Sequence, residues 1–125
     1  MSFERHDTMF PGHKAAASLI TKQFYCVKIS AAGAVNVCSG AADKMVGILQ
    51  NKPVAGEACE IPLSGIAKGI AAGVIAVGAW VGTDAAGKLV AKTTDKDFVY
   101  GQALEAAGAD GDIIAVLIRP HYLAV

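Results

Sequence analysis

Three histidines, three cysteines and a scatter of carboxylates are the residues of this chain that could do chemistry. His6 and His13 lie near the start and His121 near the end. The His-x6-His spacing is not one that zinc sites use. Cys26, Cys38 and Cys59 are odd in number and widely spaced, which fits neither a disulfide framework nor a zinc site. Each falls in an apolar, strand-like stretch, where a thiol reads as core rather than as nucleophile. A Cys–His pair built from distant residues stays open, with nothing local to support it. Asp43, Glu57, Asp84, Asp95, Asp97, Asp110 and Asp112 fall in turn-like segments. General acid–base work would need two of them to converge in a cleft, and turn capping is the simpler role. Ser39-Gly40 and Ser64-Gly65 read as turn pairs, no Gly-x-Ser-x-Gly elbow is present, and no glycine run continues into Gly-Lys-Ser/Thr. The expectation is a protein without enzymatic activity, cofactor or metal.

The elements that must position these residues are short. The 125 residues suit one domain, and a chain of this size folds without needing a metal or disulfide. Eleven basic residues balance eleven acidic ones, so no general electrostatic pull on a nucleic acid backbone is expected. The composition is 54% hydrophobic and only 6% aromatic, with 14 glycines. Ala and Val therefore supply much of the apolar content, and glycine many of the turns. So few charges leave apolar surface on a lone monomer, which favours self-association or a large protein partner. The polar start and the absence of an apolar run after it predict no signal peptide. Residues 65–78 are too short, and with Lys68 too polar, for a membrane span; strands broken by turns explain them better.

Along the chain, residues 23–29 are rich in strand formers, and Val35 and Val37 alternate beyond a turn at Gly33, giving a hairpin. Residues 45–49 form a third strand. Cys59, Ile61 and Leu63 are expected on one face of the next, with Pro62 placing it at an edge or a bulge. Trp80-Val81 and Lys88-Leu89-Val90 flank a turn at residues 84–87. Residues 99–104 form another strand. The apolar run 113–118 suits a strand buried on both faces, ending at Arg119-Pro120-His121. Some eight short strands between Gly, Asp and Pro turns predict an all-β fold, a small β-sandwich or barrel-like domain. Residues 1–22 differ: they hold Phe10-Pro11-Gly12, show no β alternation, and allow at most a short helix at 15–20. They read as an extended N-terminal arm with few contacts to the core, whose Phe3, Met9 and Phe10 would anchor on a partner.

Val46-Gly47-Ile48-Leu49, Ala55-Gly56-Glu57, Gly65-Ile66-Ala67, Val77-Gly78, Trp80-Val81, Ala86-Gly87-Lys88-Leu89, Tyr100-Gly101-Gln102-Ala103-Leu104 and Gly111-Asp112 follow one another in an order and spacing that resembles the head-decoration, or capsid cement, proteins of tailed bacteriophages. The likeness spans residues 45–118 and departs at Ala79, where the family often has an acidic residue, and over the first segment. It implies a β-rich homotrimer on the outer capsid surface of the virion, made in the host bacterial cytoplasm. Such a trimer clamps neighbouring major capsid protein subunits and stabilises the expanded shell. On that basis the chain divides into an arm (1–22) and a decoration domain (23–125). Phe3, Arg5, His6, Met9 and Phe10 become candidate capsid contacts, and Trp80 belongs either to the core or to the trimer interface. No nucleic acid or membrane partner is implied.

The alternative on the same scaffold is a binding module for a glycan or protein ligand, which would need an aromatic cluster from Trp80 and three tyrosines. Asp43-Lys44-Met45 and Asp95-Lys96-Asp97 faintly resemble the lysine hairpin of lipoyl and biotinyl carrier domains, but the match is only three residues long.

Overall fold

The computed structural model describes residues 13–30 and 33–124 in full, together with the backbone of residues 5–9. The described residues form nine strands and no helix. They are β1 (Arg5–Met9), β2 (Cys26–Ile29), β3 (Val35–Val37), β4 (Gly47–Ile48), β5 (Pro62–Ile70), β6 (Trp80–Thr83), β7 (Leu89–Ala91), β8 (Phe98–Ala103) and β9 (Ile113–Tyr122). A six-stranded antiparallel sheet runs β1-β5-β9-β8-β6-β7, and a three-stranded one runs β3-β2-β4. The fold is all-β, as expected.

The small sheet sends buried apolar side chains to both of its faces, and the rest of the fold is arranged around it. Successive strand residues point to opposite sides. Cys26 and Ile48 enter a core shared with Leu89, Tyr100, Ile114 and Val116 of the large sheet. Their neighbours Val27 and Leu49 enter a second core with Val35, Cys59 and Ile61. That second face needs a cover, and residues 13–22 supply it. Ala15 and Leu19 are buried there. Their backbone is tied down as well: Ala15 N–H donates to the Glu57 carbonyl, Ala16 N–H to Val35 and Leu19 N–H to Pro53, each at 2.8 Å. The expectation of an arm with few core contacts is therefore corrected for residues 13–22. They form no helix, because their backbone bonds go outward to neighbouring segments rather than along the chain. Phe3 and Phe10 lie outside the described residues.

The two sheets are stitched along both edges, which makes the sandwich barrel-like. On one side the Gln50 amide Nε2 donates to the Lys68 carbonyl at 3.0 Å and to Ile48 at 3.1 Å, while its Oε1 accepts from Lys68 N–H at 3.3 Å. On the other, Cys26 N–H donates to the Gly87 carbonyl at 2.7 Å. Gly87 has φ +83, and a β-carbon there would collide with the Val37 side chain, so this contact requires glycine.

Several boundaries differ from the sequence reading for local reasons. The strand expected from residue 23 starts at Cys26, since Phe24 holds a left-handed φ of 71°, rare for a bulky residue. Leu63 is exposed rather than sharing the buried face of Cys59 and Ile61; the alternation resets at Pro62, where β5 begins. Pro62 is the first residue of its strand, opposite Met9 and beside a register shift in β1, a position where a missing N–H is tolerated. The last strand runs past Arg119 to Tyr122 because the register shifts between Val99 and Gly101 of β8, and the bulge absorbs Pro120.

Gln50→Ala removes the stitch between the sheets and leaves Lys68 backbone groups unpaired. It is expected to lower unfolding free energy by about 2 to 4 kcal/mol, measured by urea unfolding.

Candidate interaction surfaces

Four of the seven turn carboxylates cap the turns they sit in. Asp84 Oδ1 accepts from the N–H groups of Ala86 and Lys88, both at 2.8 Å. Asp112 Oδ2 accepts from Gly108 and Ala109 at 2.8 and 3.2 Å, and Glu57 Oε1 accepts from Val54 N–H at 2.8 Å. Asp43 Oδ2 accepts from Ser39 N–H at 2.8 Å, Gly40 N–H at 3.0 Å and the Lys28 ammonium at 3.0 Å. The Ser39 N–H bond, then the Lys28 bond, hold the Asp43 carboxyl below the usual range. This is the turn-capping role read from the sequence.

All three cysteines are buried and unpaired. Burial pushes the Cys38 thiol up to about 11 and raises Cys26 and Cys59 as well, which disfavours the nucleophilic thiolate. His121 Nδ1 lies 2.8 Å from the Arg119 carbonyl, and its ring meets Trp80 edge-on at 4.6 Å. Among the described residues no cavity opens, and no three His, Cys, Asp or Glu side chains gather as metal ligands.

Two surfaces stand out. The first is the outer side of the six-stranded sheet, where register carries one row across it. Ile66 pairs with Leu117, Leu117 with Gln102, and Gln102 with Trp80. Residues directly opposed across strands share a face. Their neighbours Ala67, Val116, Ala103 and Val81 are buried, so Ile66, Leu117, Gln102 and Trp80 look away from the core. All four are partly exposed. Trp80 belongs to neither core cluster. Arg5 is the register partner of Ile66 at the β1 edge, with His6 opposite Gly65 and Met9 opposite Pro62. Of the five residues picked as capsid contacts, these three are placed on one sheet edge, while Phe3 and Phe10 fall outside the described residues.

The second surface is the tip of the same sheet, formed by residues 71–79 and 104–113. Ile75 and Ala107 exchange N–H···O bonds of 3.0 and 2.9 Å, and Gly78 N–H donates to the Ala103 carbonyl at 2.8 Å. A turn closed by Ala79 N–H to the Ala76 carbonyl lifts Val77 to its apex, with Gly78 at φ +86. The result is a crest of exposed aliphatics: Val74 at 78%, Val77 at 65%, Ile113 at 42% and Leu104 at 38%. Sequence reading missed this surface, because an exposed valine and a buried one leave the same mark on hydropathy. The signal that could have found it is the run 69–83, which holds no ionisable residue.

A family model described as phage cement protein matches residues 14–119. The chain belongs to the phage cement protein family. It is a structural, capsid-associated protein of the phage virion. The match begins in the segment that covers the second core, well ahead of the motifs that carry the sequence resemblance. The fold is similar to that of the head fiber gp8.5 N base in bacteriophage phi29. The TM-score is 0.63 at 17% identity, over 94% of this chain and 98% of that one. No curated protein matches the chain. For a cement protein, surfaces without a cleft are the expected working parts.

Two outcomes test this picture of the side chains. A thiol reagent is expected to titrate none of the three cysteines in the native protein and all three after denaturation. Asp43 has a folded-state pKa below its unfolded one, so its stabilising contribution is present above about pH 4 and is lost as pH falls through the folded value. Asp43→Asn is expected to flatten the acid limb of stability against pH in urea unfolding.

Proposed function

We propose that the chain is a homotrimeric cement protein that binds the major capsid protein on the outer face of an icosahedral phage head and stabilises the expanded shell. The observation that carries this reading is a sheet whose outer row, Ile66 to Trp80, stays partly exposed in a fold of the cement family. A similar fold in a phage head fiber base supports attachment to the head. Cementing needs no single strong contact. A trimer engages several subunits at once, and effective concentration multiplies weak contacts.

The N-terminal segment supplies a contact to the capsid in this reading, through Phe3, Arg5, His6, Met9 and Phe10. Arg5–Met9 runs as the edge strand of the six-stranded sheet. Its open side can take up a strand from a capsid subunit, with backbone hydrogen bonds supplying affinity. Residues 13–14 belong to the packed domain, so the deletion that isolates this contact is residues 2–10.

Co-sedimentation with decoration-free expanded capsids tests both steps. The full chain is expected to bind saturably, at one trimer per local three-fold position. The chain lacking residues 2–10 is expected to remain trimeric and to lose binding. Full binding by the truncated chain removes the arm from the interface. Absence of binding by the full chain overturns the cementing reading.

A further inference from the structure

We propose that Cys26 and Cys38 are a redox pair that closes into a reversible disulfide bond between strand β2 and the end of strand β3. The inference goes beyond the cementing reading and does not depend on it.

Register brings the two residues together. Val27 pairs with Val37, Lys28 with Asn36 and Ile29 with Val35. One step further along the same register sets Cys26 opposite Cys38, and Cys38 N–H donates to the Cys26 carbonyl at 3.0 Å. Directly opposed residues project on one face, and both thiols lie in the core shared with Leu89 and Tyr100. Cys59 lies in the other core, across the small sheet. Three cysteines without pattern along the chain are therefore a pair and a bystander in the fold.

Thr83 shows the closeness independently. Its buried hydroxyl donates to the Asp84 carbonyl at 2.8 Å. With that proton committed, the oxygen accepts from the thiols of both Cys26 and Cys38. Two sulfurs that share one oxygen lie side by side.

Opposed residues of a hydrogen-bonded pair keep their α-carbons about 5.5 Å apart, inside the span of roughly 4.4 to 6.8 Å that disulfides bridge. Their β-carbons, also about 5.5 Å apart, must draw in to the roughly 3.5 to 4.5 Å of the bond. Cys38 stands where the β2–β3 ladder ends, so the adjustment disturbs one ladder bond rather than several. The bond that forms is strained, and thiols reduce it again.

The oxidant is a small-molecule disulfide such as oxidised glutathione. Burial keeps both thiols protonated, so exchange waits for the ladder end to open. The Cys38 thiolate then attacks one glutathione sulfur, breaking that S–S bond and releasing one glutathione thiolate. Cys26 attacks the Cys38 sulfur of the mixed disulfide and releases the second. The two protons lost by the cysteines go to the two glutathione thiolates, and two electrons pass from the cysteine pair to the glutathione disulfide. The product ties together the sheet on which both cores rest and restricts the unfolded chain.

The test incubates the reduced full chain with oxidised glutathione, alkylates it under denaturing conditions, and reads intact mass and peptide maps. The expected product has lost two hydrogens, keeps one alkylatable thiol in place of three, at Cys59, and joins the peptides that carry Cys26 and Cys38. Dithiothreitol is expected to restore all three thiols. The oxidised form is expected to unfold at a higher urea concentration than the reduced form. Three alkylatable thiols after prolonged incubation, a product that stops at a glutathione adduct, or a bond that includes Cys59 overturns the pair. An oxidised form that unfolds at the same or a lower urea concentration overturns its stabilising role.

Discussion

The constraint on which the structure depends is a three-stranded sheet that buries apolar side chains on both faces. Cys26 and Val27, or Ile48 and Leu49, are consecutive residues that enter different cores. A strand patterned this way cannot lie at a surface. The large sheet covers one face, and residues 13–22 and 59–61 cover the other. The result is a layered molecule in which the six-stranded sheet has one face on the small sheet and leaves the other partly exposed.

Much of this is legible in the residues. Asp84 with Gly87 declares a tight hairpin, and the structure builds one, down to the two backbone N–H groups held by a single carboxylate oxygen. The order of the motif glycines and the strand formers around them is enough to point to the family. Where reading failed, the cause was non-local. Ala15 and Leu19 look like part of a loose arm because their stretch shows no β alternation and offers at most a short helix, and their burial is dictated by the far face of a sheet formed later in the chain. Leu63 follows Cys59 and Ile61 at perfect alternation, yet the strand starting at Pro62 resets the phase. Pro120 reads as a stop, and a bulge carries the strand through it.

The binding surfaces were harder to see for a physical reason. Hydropathy reports what a residue is, not what covers it. Val74 and Val81 are the same residue type, and one is 78% exposed while the other is fully buried. Only topology separates them: Val81 lies inside a paired strand, whereas Val74 stands in the loop that leads from β5 to β6. Trp80 reads first as core and second as interface from the sequence, and its register partner Gln102 places it on the outer face.

The distribution of charge ties the fold to its proposed task. Turns in a small β-protein need acceptors for their exposed N–H groups, and here aspartates and a glutamate provide them. A chain with zero formal net charge can crowd beside copies of itself with little long-range repulsion. Specificity must then come from short-range fit, which is what aliphatic crests, small residues and an open strand edge supply. A protein that holds a shell together by many modest contacts gains most from that combination, because each contact is weak enough to be placed correctly and the sum is strong enough to stay.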